Sequence, residues 1–547
     1  MIMRIRIFIF IFFLSFRVIS FAQAFWEDTR SMVYPYLTRM ADKGVIALDD
    51  VVLPLTQTQI LEVLHQLKSH ESYLNKIEKA ELHFFLKEYS LPFKSGDSTT
   101  QRLSLFKKDL NSRLRGASIG NQHFFIQIDP VTGAKISSGS GKSTHEYGNG
   151  FNTKIWMGKQ LAFQMYYRDI TRGGDDFNIN QYFTEETAGL RLDTNQNQRI
   201  NFADLRTALA YQGKNFTITI GNDHVNWGYG QRGKIVLGNK APSFPFVRLD
   251  YKPVRWFVFN YAHTWLQSNV IDSSRIYNLG NNVYGGRREQ YIPSYLVTHT
   301  ATLTPRKGIA LSIGESIVYS DRFFVPYLFP MMFFRVIDIT NRMGYNNLAS
   351  SNTQIFAQLS LRNILPKSQV YGTVFVDELR VSTLFNRDKS RNQLGITLGV
   401  NRQDIIENLN LGMEYTRVNP FVYANFIPAQ QYRHAGYALG DWMGNNFDRF
   451  TIHSSYKPIP RLLLHTRLER IRKGSEGDLL QQYFAEPQPR FLFNPQWNST
   501  EFAVQARFEL IHRVYLSGQF SLKYLQNTQN NSSNTLQQSQ IGLNFGW

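Results

Sequence analysis

The chain has no cysteine among its 547 residues. Thiol nucleophiles, thiolate metal sites and disulfide staples are therefore excluded. It is also short of acid, with 42 Asp and Glu against 60 Lys and Arg, for a formal net charge of +18. Beyond the N-terminus it lacks any apolar run approaching the ~20 residues that a membrane-crossing helix needs, and its mean hydropathy is only −0.31. A polytopic helical membrane protein is thereby ruled out. Aromatic residues are abundant: 42 Phe, 28 Tyr and 8 Trp. That richness, with only 19% charged residues, argues against disorder and leaves either a large soluble protein or a membrane protein with a thinly spread apolar face.

At the N-terminus, Arg4 and Arg6 precede an apolar run from Ile7 to Phe16, and small residues follow at Ser20-Phe21-Ala22. This order predicts a signal peptide over residues 1–22, cleaved after Ala22. The run is too short to anchor the chain, and Arg17 interrupts it. The mature protein is expected to be exported.

Two patterns divide the rest. From about residue 25 to 116, apolar positions recur at helical spacing. Ile60, Leu61, Leu64 and Leu67 form one stripe behind a capping box at Thr56-Gln57-Thr58-Gln59. Leu74, Ile77, Phe84 and Phe85 mark a second helix, and an earlier one is expected over Thr29–Lys43 with Pro35 as its weak point. Residues 23–120 are predicted to be a periplasmic helical domain.

From residue 121 to 547 the period falls to two. Phe502, Val504, Ala506, Phe508 and Leu510 alternate with Ala503, Gln505, Arg507 and Glu509, and Val514–Lys523 behaves likewise. A soluble sandwich alternates too. Two features favour a transmembrane barrel instead. The chain ends on alternating Ile541, Leu543, Phe545 and Trp547. Long polar connections, such as 268–292, 321–352 and 420–448, also alternate with short turns such as Lys457-Pro458-Ile459-Pro460, so all long ones fall on one side. The fold class is mainly β: a transmembrane antiparallel barrel of about 18 strands with an N-terminal α-helical domain. Nineteen alternating segments are visible, and Phe124–Ile128 is expected to lie outside the ladder as a lead-in; sixteen strands is the alternative.

The segments Asn226-Trp227-Gly228-Tyr229-Gly230, Leu237-Gly238-Asn239-Lys240-Ala241-Pro242, Glu414-Tyr415-Thr416 and Gly436–Gly444, with Tyr34-Pro35-Tyr36-Leu37 before them, resemble the capsule assembly proteins of the Wzi family. The resemblance implies an outer-membrane β-barrel lectin that attaches capsular polysaccharide to the cell surface without catalysis. Where the family's turn reads Trp-Gly-Pro-Gly, this chain has Tyr229. Residues 36–60 also resemble, more weakly, an S-layer homology motif.

Sugar sites combine aromatic faces with Arg that binds hydroxyl and carboxylate groups. The long loops hold such mixtures, and Trp227, Tyr229, Arg232, Arg322, Tyr327, Arg433, Trp442 and Arg449 are the candidate polysaccharide-binding residues. The competing reading of each aromatic is packing or the interface girdle. The basic balance suits an acidic polysaccharide or the phosphates of lipopolysaccharide; nucleic acid is not expected of an exported barrel. Phe545 and Trp547 are the expected signal to the outer-membrane barrel assembly machinery.

The apolar stretch Phe323–Met343, broken by Pro326 and Pro330, is expected to fold as a loop helix over the barrel mouth. Glu315, Asp377, Glu414, Arg417, Arg467, Glu469, Arg507 and Glu509 are expected to point inward and pair across the lumen. No G-x-S-x-G, H-E-x-x-H or P-loop pattern occurs, and no cofactor or metal is expected. The function expected is non-enzymatic attachment of a surface polysaccharide at the outer membrane; the alternative is an outer-membrane channel for a specific polar substrate.

Overall fold

The computed structural model of the protein describes residues 24–93, 99, 101–175, 190–191, 199–280, 286–343, 351–379, 386, 392–478, 481–482, 485 and 487–546. The predicted signal peptide and Trp547 lie outside them. Three helices come first: α1 (Val33–Asp42), α2 (Gln57–Ser69) and α3 (Lys76–Tyr89). The capping box at Thr56 forms, with the Gln59 amide donating to Thr56 Oγ1 at 3.3 Å and the Thr56 amide to Gln59 Oε1 at 2.8 Å. Asn75 and Glu78 make a second box at α3. Pro35 is tolerated because it falls in the first turn of α1, where amide donors have no intrahelical partner. Ile60, Leu64 and Leu67 pack with Leu37, Met40, Leu82 and Phe85 into one core.

The helical part ends earlier than expected. A hairpin, β1 (Gln101–Lys108) and β2 (Leu114–Gly120), precedes the barrel and lays Ala117–Gly120 against Phe125–Ile128. Phe124–Ile128 is therefore no lead-in outside the ladder. It is the first part of β3 (Phe124–Gly139), whose one edge is shared between β2 and the last strand while the other pairs with β4 throughout.

The barrel strands are β3, β4 (Lys142–Met157), β5 (Leu161–Gly174), β6 (Arg199–Gln212), β7 (Phe216–Asp223), β8 (Phe244–Val254), β9 (Phe257–Ile271), β10 (Tyr291–Arg306) and β11 (Ile309–Ser320). They continue as β12 (Asn352–Arg362), β13 (Ser368–Glu378), β14 (Gln393–Arg402), β15 (Leu409–Val418), β16 (Phe447–Ile459), β17 (Leu462–Gly474), β18 (Pro495–Ile511), β19 (Val514–Asn527) and β20 (Ser533–Phe545). Each pairs antiparallel with its neighbour, and β20 closes on β3 from Phe545 opposite Thr132 to Ser539 opposite Ser138. The result is a closed barrel of 18 strands. Ile220, Ile313, Leu398, Phe502 and Ile541 stand exposed on its outer wall, which gives the apolar band a bilayer demands.

The helices sit at the short-turn end. Arg362, the last residue of β12, reaches Asp42 at 3.0 Å and Asp50 at 2.6 Å. Lys43 reaches Asp404 in the next turn at 2.8 Å, and His512 lies 2.9 Å from Glu88 of α3. Burial pushes the Glu88 carboxyl up, but Arg115 and His512 outweigh it and hold the group well below the usual carboxylate range. The helical bundle is thus clamped to the turns as a floor.

Two of the eight expected inward charges point outward. Glu414 faces the lumen, where Tyr371 donates to it at 2.7 Å; Arg417, three residues on, has the opposite parity and lies over the Phe491 ring. Glu315 also faces out, since Thr300, opposite Gly314, is the residue that meets the luminal Trp227.

Glu315 is not bare to lipid, because Phe323–Met343 folds down over the outer wall rather than over the mouth. Tyr327, Phe334 and Ile337 pack on the outward residues Phe259, Tyr261, Tyr295, Val297, Ile317 and Tyr319 of β9 to β11. The Phe334 amide donates to Glu315 at 2.6 Å, Tyr261 donates to the Tyr327 carbonyl at 2.7 Å, and His299 Nδ1 lies 2.8 Å from the Pro330 carbonyl. Polar groups at membrane depth require such partners, and the backbone of this flap supplies them. Its other face exposes Phe329, Met331, Phe333 and Val336, continuous with the lipid-facing wall. With no native cysteine, a fluorophore on Met332→Cys reads the location directly. In liposomes it is expected to be quenched by nitroxide-labelled acyl chains and shielded from iodide; free quenching by iodide would place the flap in water.

Candidate functional site

The interior is filled from the outer side by two connections, 224–243 between β7 and β8 and 419–446 between β15 and β16. The first turns inward from β7, at eight residues the shortest of the eighteen barrel strands, beside neighbours of 14 and 11. Asn226 and Trp227 pair antiparallel with Leu53 and Val52 of the segment preceding α2, and the Gly228 amide donates to the Val51 carbonyl at 2.8 Å. Floor and roof thus meet inside the lumen. Positive φ at Gly228 (100°) and Gly230 (154°) then reverses the chain around Tyr229, whose ring lies 5.8 Å from Tyr371.

The second connection locks onto the first. Tyr423 donates to the Ile235 carbonyl at 2.7 Å, Tyr432 to the Val236 carbonyl at 2.9 Å, and the Gly238 amide to the Leu439 carbonyl at 2.7 Å. Buried charge fixes the arrangement: Arg449 grips Asp441 with two bonds at 2.7 and 3.1 Å, and Arg232 reaches Glu469 at 2.9 Å.

The eight candidate sugar-binding residues therefore separate. Trp227, Tyr327 and Arg449 are fully buried and Tyr229 nearly so. Trp227 donates to Thr300 Oγ1 at 2.6 Å, and Tyr327 belongs to the flap core on the outer wall. Arg232 and Trp442 are half-buried and joined, the Trp442 Nε1–H donating to the Arg232 carbonyl at 3.1 Å. Only Arg322 and Arg433 reach solvent well, the latter 40% exposed beside Glu476 at 2.7 Å.

The sequence reading did not single out the residues of connection 272–290 and the strand after it. There a small hairpin sets Tyr277 opposite Arg288 and Asn278 opposite Arg287, with Arg275 and Tyr291 nearby in the chain, all exposed. The two sides lie ten residues apart, so the only sequence signal was the recurrence of Tyr and Arg within one long loop.

A closed antiparallel barrel with an apolar outer wall, a helical floor and a roof of two inward loops defines a plugged barrel of the bacterial outer-membrane type. Within that class, residues 141–270 match the family described as Capsule assembly protein Wzi, as the sequence resemblance implied. The fold is shared with the solved Wzi of Escherichia coli, described as an outer membrane protein involved in group 1 capsule assembly and a carbohydrate binding β-barrel. The TM-score is 0.58 at 12% identity, covering 95% of this chain and 99% of that one. OpdQ and OccK5 (OpdH) of Pseudomonas aeruginosa match at TM-scores of 0.39 and 0.41, each at 10% identity over 77% of this chain and 98% and 97% of theirs. No curated protein matches the chain.

Asp441→Ala leaves the Arg449 guanidinium buried without its partner, which is expected to cost about 3–5 kcal/mol. Limited proteolysis in micelles should then cut within 419–446 much faster than in wild type, and Asp441→Leu with Arg449→Met should restore part of the protection.

Proposed function

We propose that this protein binds an acidic surface polysaccharide at the outer end of its barrel and holds it on the cell, as a non-enzymatic component of capsule assembly. The observation that carries the reading is the shared fold with the carbohydrate-binding barrel of Escherichia coli, together with the family match over residues 141–270. In this reading the buried candidates Trp227, Tyr229 and Arg449 support the binding surface from beneath, while Tyr327 holds the flap on the outer wall. Polymer contact falls to Arg322, Arg433, the exposed edges of Arg232 and Trp442, and the Tyr277–Tyr291 projection. Guanidinium forks suit carboxylates, and Tyr faces suit the C–H face of a sugar ring.

Residues 23–120 form the periplasmic side, with 1–22 removed on export. Lipopolysaccharide phosphates are a second anionic partner for the basic outer surface, and Phe545 with Trp547 is the signal to the assembly machinery.

Deleting the gene in its capsulated host is expected to leave polysaccharide synthesis unchanged while most of the polymer moves from the cells to the medium. Arg287→Ala, Arg288→Ala and Arg433→Ala together should reproduce much of that loss with the barrel still assembled. Normal cell-bound polymer in the deletion strain would end the proposal.

A further inference from the structure

The interlocked loops do not fill the whole lumen. A cavity of about 610 Å³ lies between the N-terminal segment, α3 and the inner faces of β3 to β7 and β16 to β20, within the size range of small-ligand sites. Above this part of the wall two outer connections are short, Ser140–Gly141 and 528–532.

Eleven Lys and Arg line the cavity against eight Asp and Glu. Several of the carboxylates are already engaged. Asp28 takes Arg30 at 2.6 Å and Arg206 at 2.7 Å, Asp129 takes Arg513 at 2.6 Å, and Glu88 takes Arg115 at 3.1 Å. Three cations are left over, of which Arg461 donates instead to the Leu510 carbonyl at 3.2 Å in the turn. Among the described residues, Lys154 has no carboxylate within ion-pair distance, and its ammonium lies 5.8 Å from the Phe25 ring centroid. Arg507 likewise has none and stacks over the Tyr515 ring at 4.0 Å. Among the described residues Glu27, Asp223 and Glu509 also line the cavity outside any ion pair, so the lining keeps a formal surplus of +3, and such a surplus inside a low-dielectric wall attracts an oppositely charged ligand. The lining also offers the amides of Gln164, Asn152 and Gln540, which suit hydroxyl groups.

We infer that this luminal cavity binds a sugar residue bearing a carboxylate or phosphate, with Lys154 and Arg507 as the anion contacts, at a site separate from the outer loops. The choice of a sugar rests on the polysaccharide reading; the preference for an anion rests on the positive surplus and on these two cations.

The absence of native cysteine gives a charge-specific test on the full-length protein. Wild type is expected to bind a glucuronate-containing oligosaccharide in calorimetric titration and to ignore neutral maltohexaose. Lys154→Cys should weaken binding about tenfold or more. Aminoethyl methanethiosulfonate, which rebuilds an ammonium there, should restore it, and the sulfonatoethyl reagent should not. Arg507→Gln gives an independent second variant, and heat-modifiable migration reports that each barrel is folded. Competition by α-D-glucose 1-phosphate would extend the site to phosphosugars; lack of competition would restrict it to carboxylates.

No binding by wild type, or undiminished binding by both variants, overturns the inference. The capsule reading is judged separately by polymer retention on cells. Normal retention with a silent cavity sinks this inference alone, and loss of retention through Arg287 and Arg288 keeps that reading alive whatever the cavity does.

Discussion

The short ladder between Val51–Leu53 and Asn226–Gly228 is the contact on which the interior depends. It joins a segment clamped to the short-turn rim through Asp42, Asp50 and Arg362 to a connection that descends from the opposite rim. Both segments are buried and would otherwise carry unpaired amides and carbonyls, at a cost of several kcal/mol. Pairing them removes that cost, sets Trp227 against Thr300, and fixes the height at which 419–446 settles over Ile235 to Gly238. The roof is thus built on the floor.

Charge then specifies what packing leaves open. Arg449 with Asp441 and Arg232 with Glu469 are buried pairs whose desolvation offsets much of their attraction. Their contribution lies in geometry: each carboxylate admits one loop arrangement, and a slipped loop would strand a charge. The same rule works on the lipid side, where His299 and Glu315, 3.2 Å apart, are tolerated only beneath the flap.

Much of this was legible in the sequence. Period-two alternation, aromatic closure and the asymmetry of long and short connections give a barrel of eighteen strands, and Thr56 with Gln59 marks its helix start. Parity was the weak point. Glu414 and Arg417 cannot both face inward when they stand three positions apart, and the outward turn of Glu315 shows only through the register of β10 on β11. The flap looked like a lid because its apolar character fits a mouth or a membrane equally well. Trp227, Tyr229 and Arg449 looked like sugar contacts because a buried plug uses the same mixture of rings and guanidinium groups as a lectin site, and Tyr327 because the flap core does so too. Burial separates the two, and burial on a luminal loop leaves no periodic trace. The hairpin at 101–120 was hidden by the helical pattern just before it.

The central claim is that floor and roof, joined at the Val52–Trp227 pairing, close the lumen to through-flow. Conductance of the purified full-length protein in planar bilayers tests it most directly. The account predicts insertion without steady open-pore current; a stable ohmic conductance of the kind an open barrel gives would contradict it.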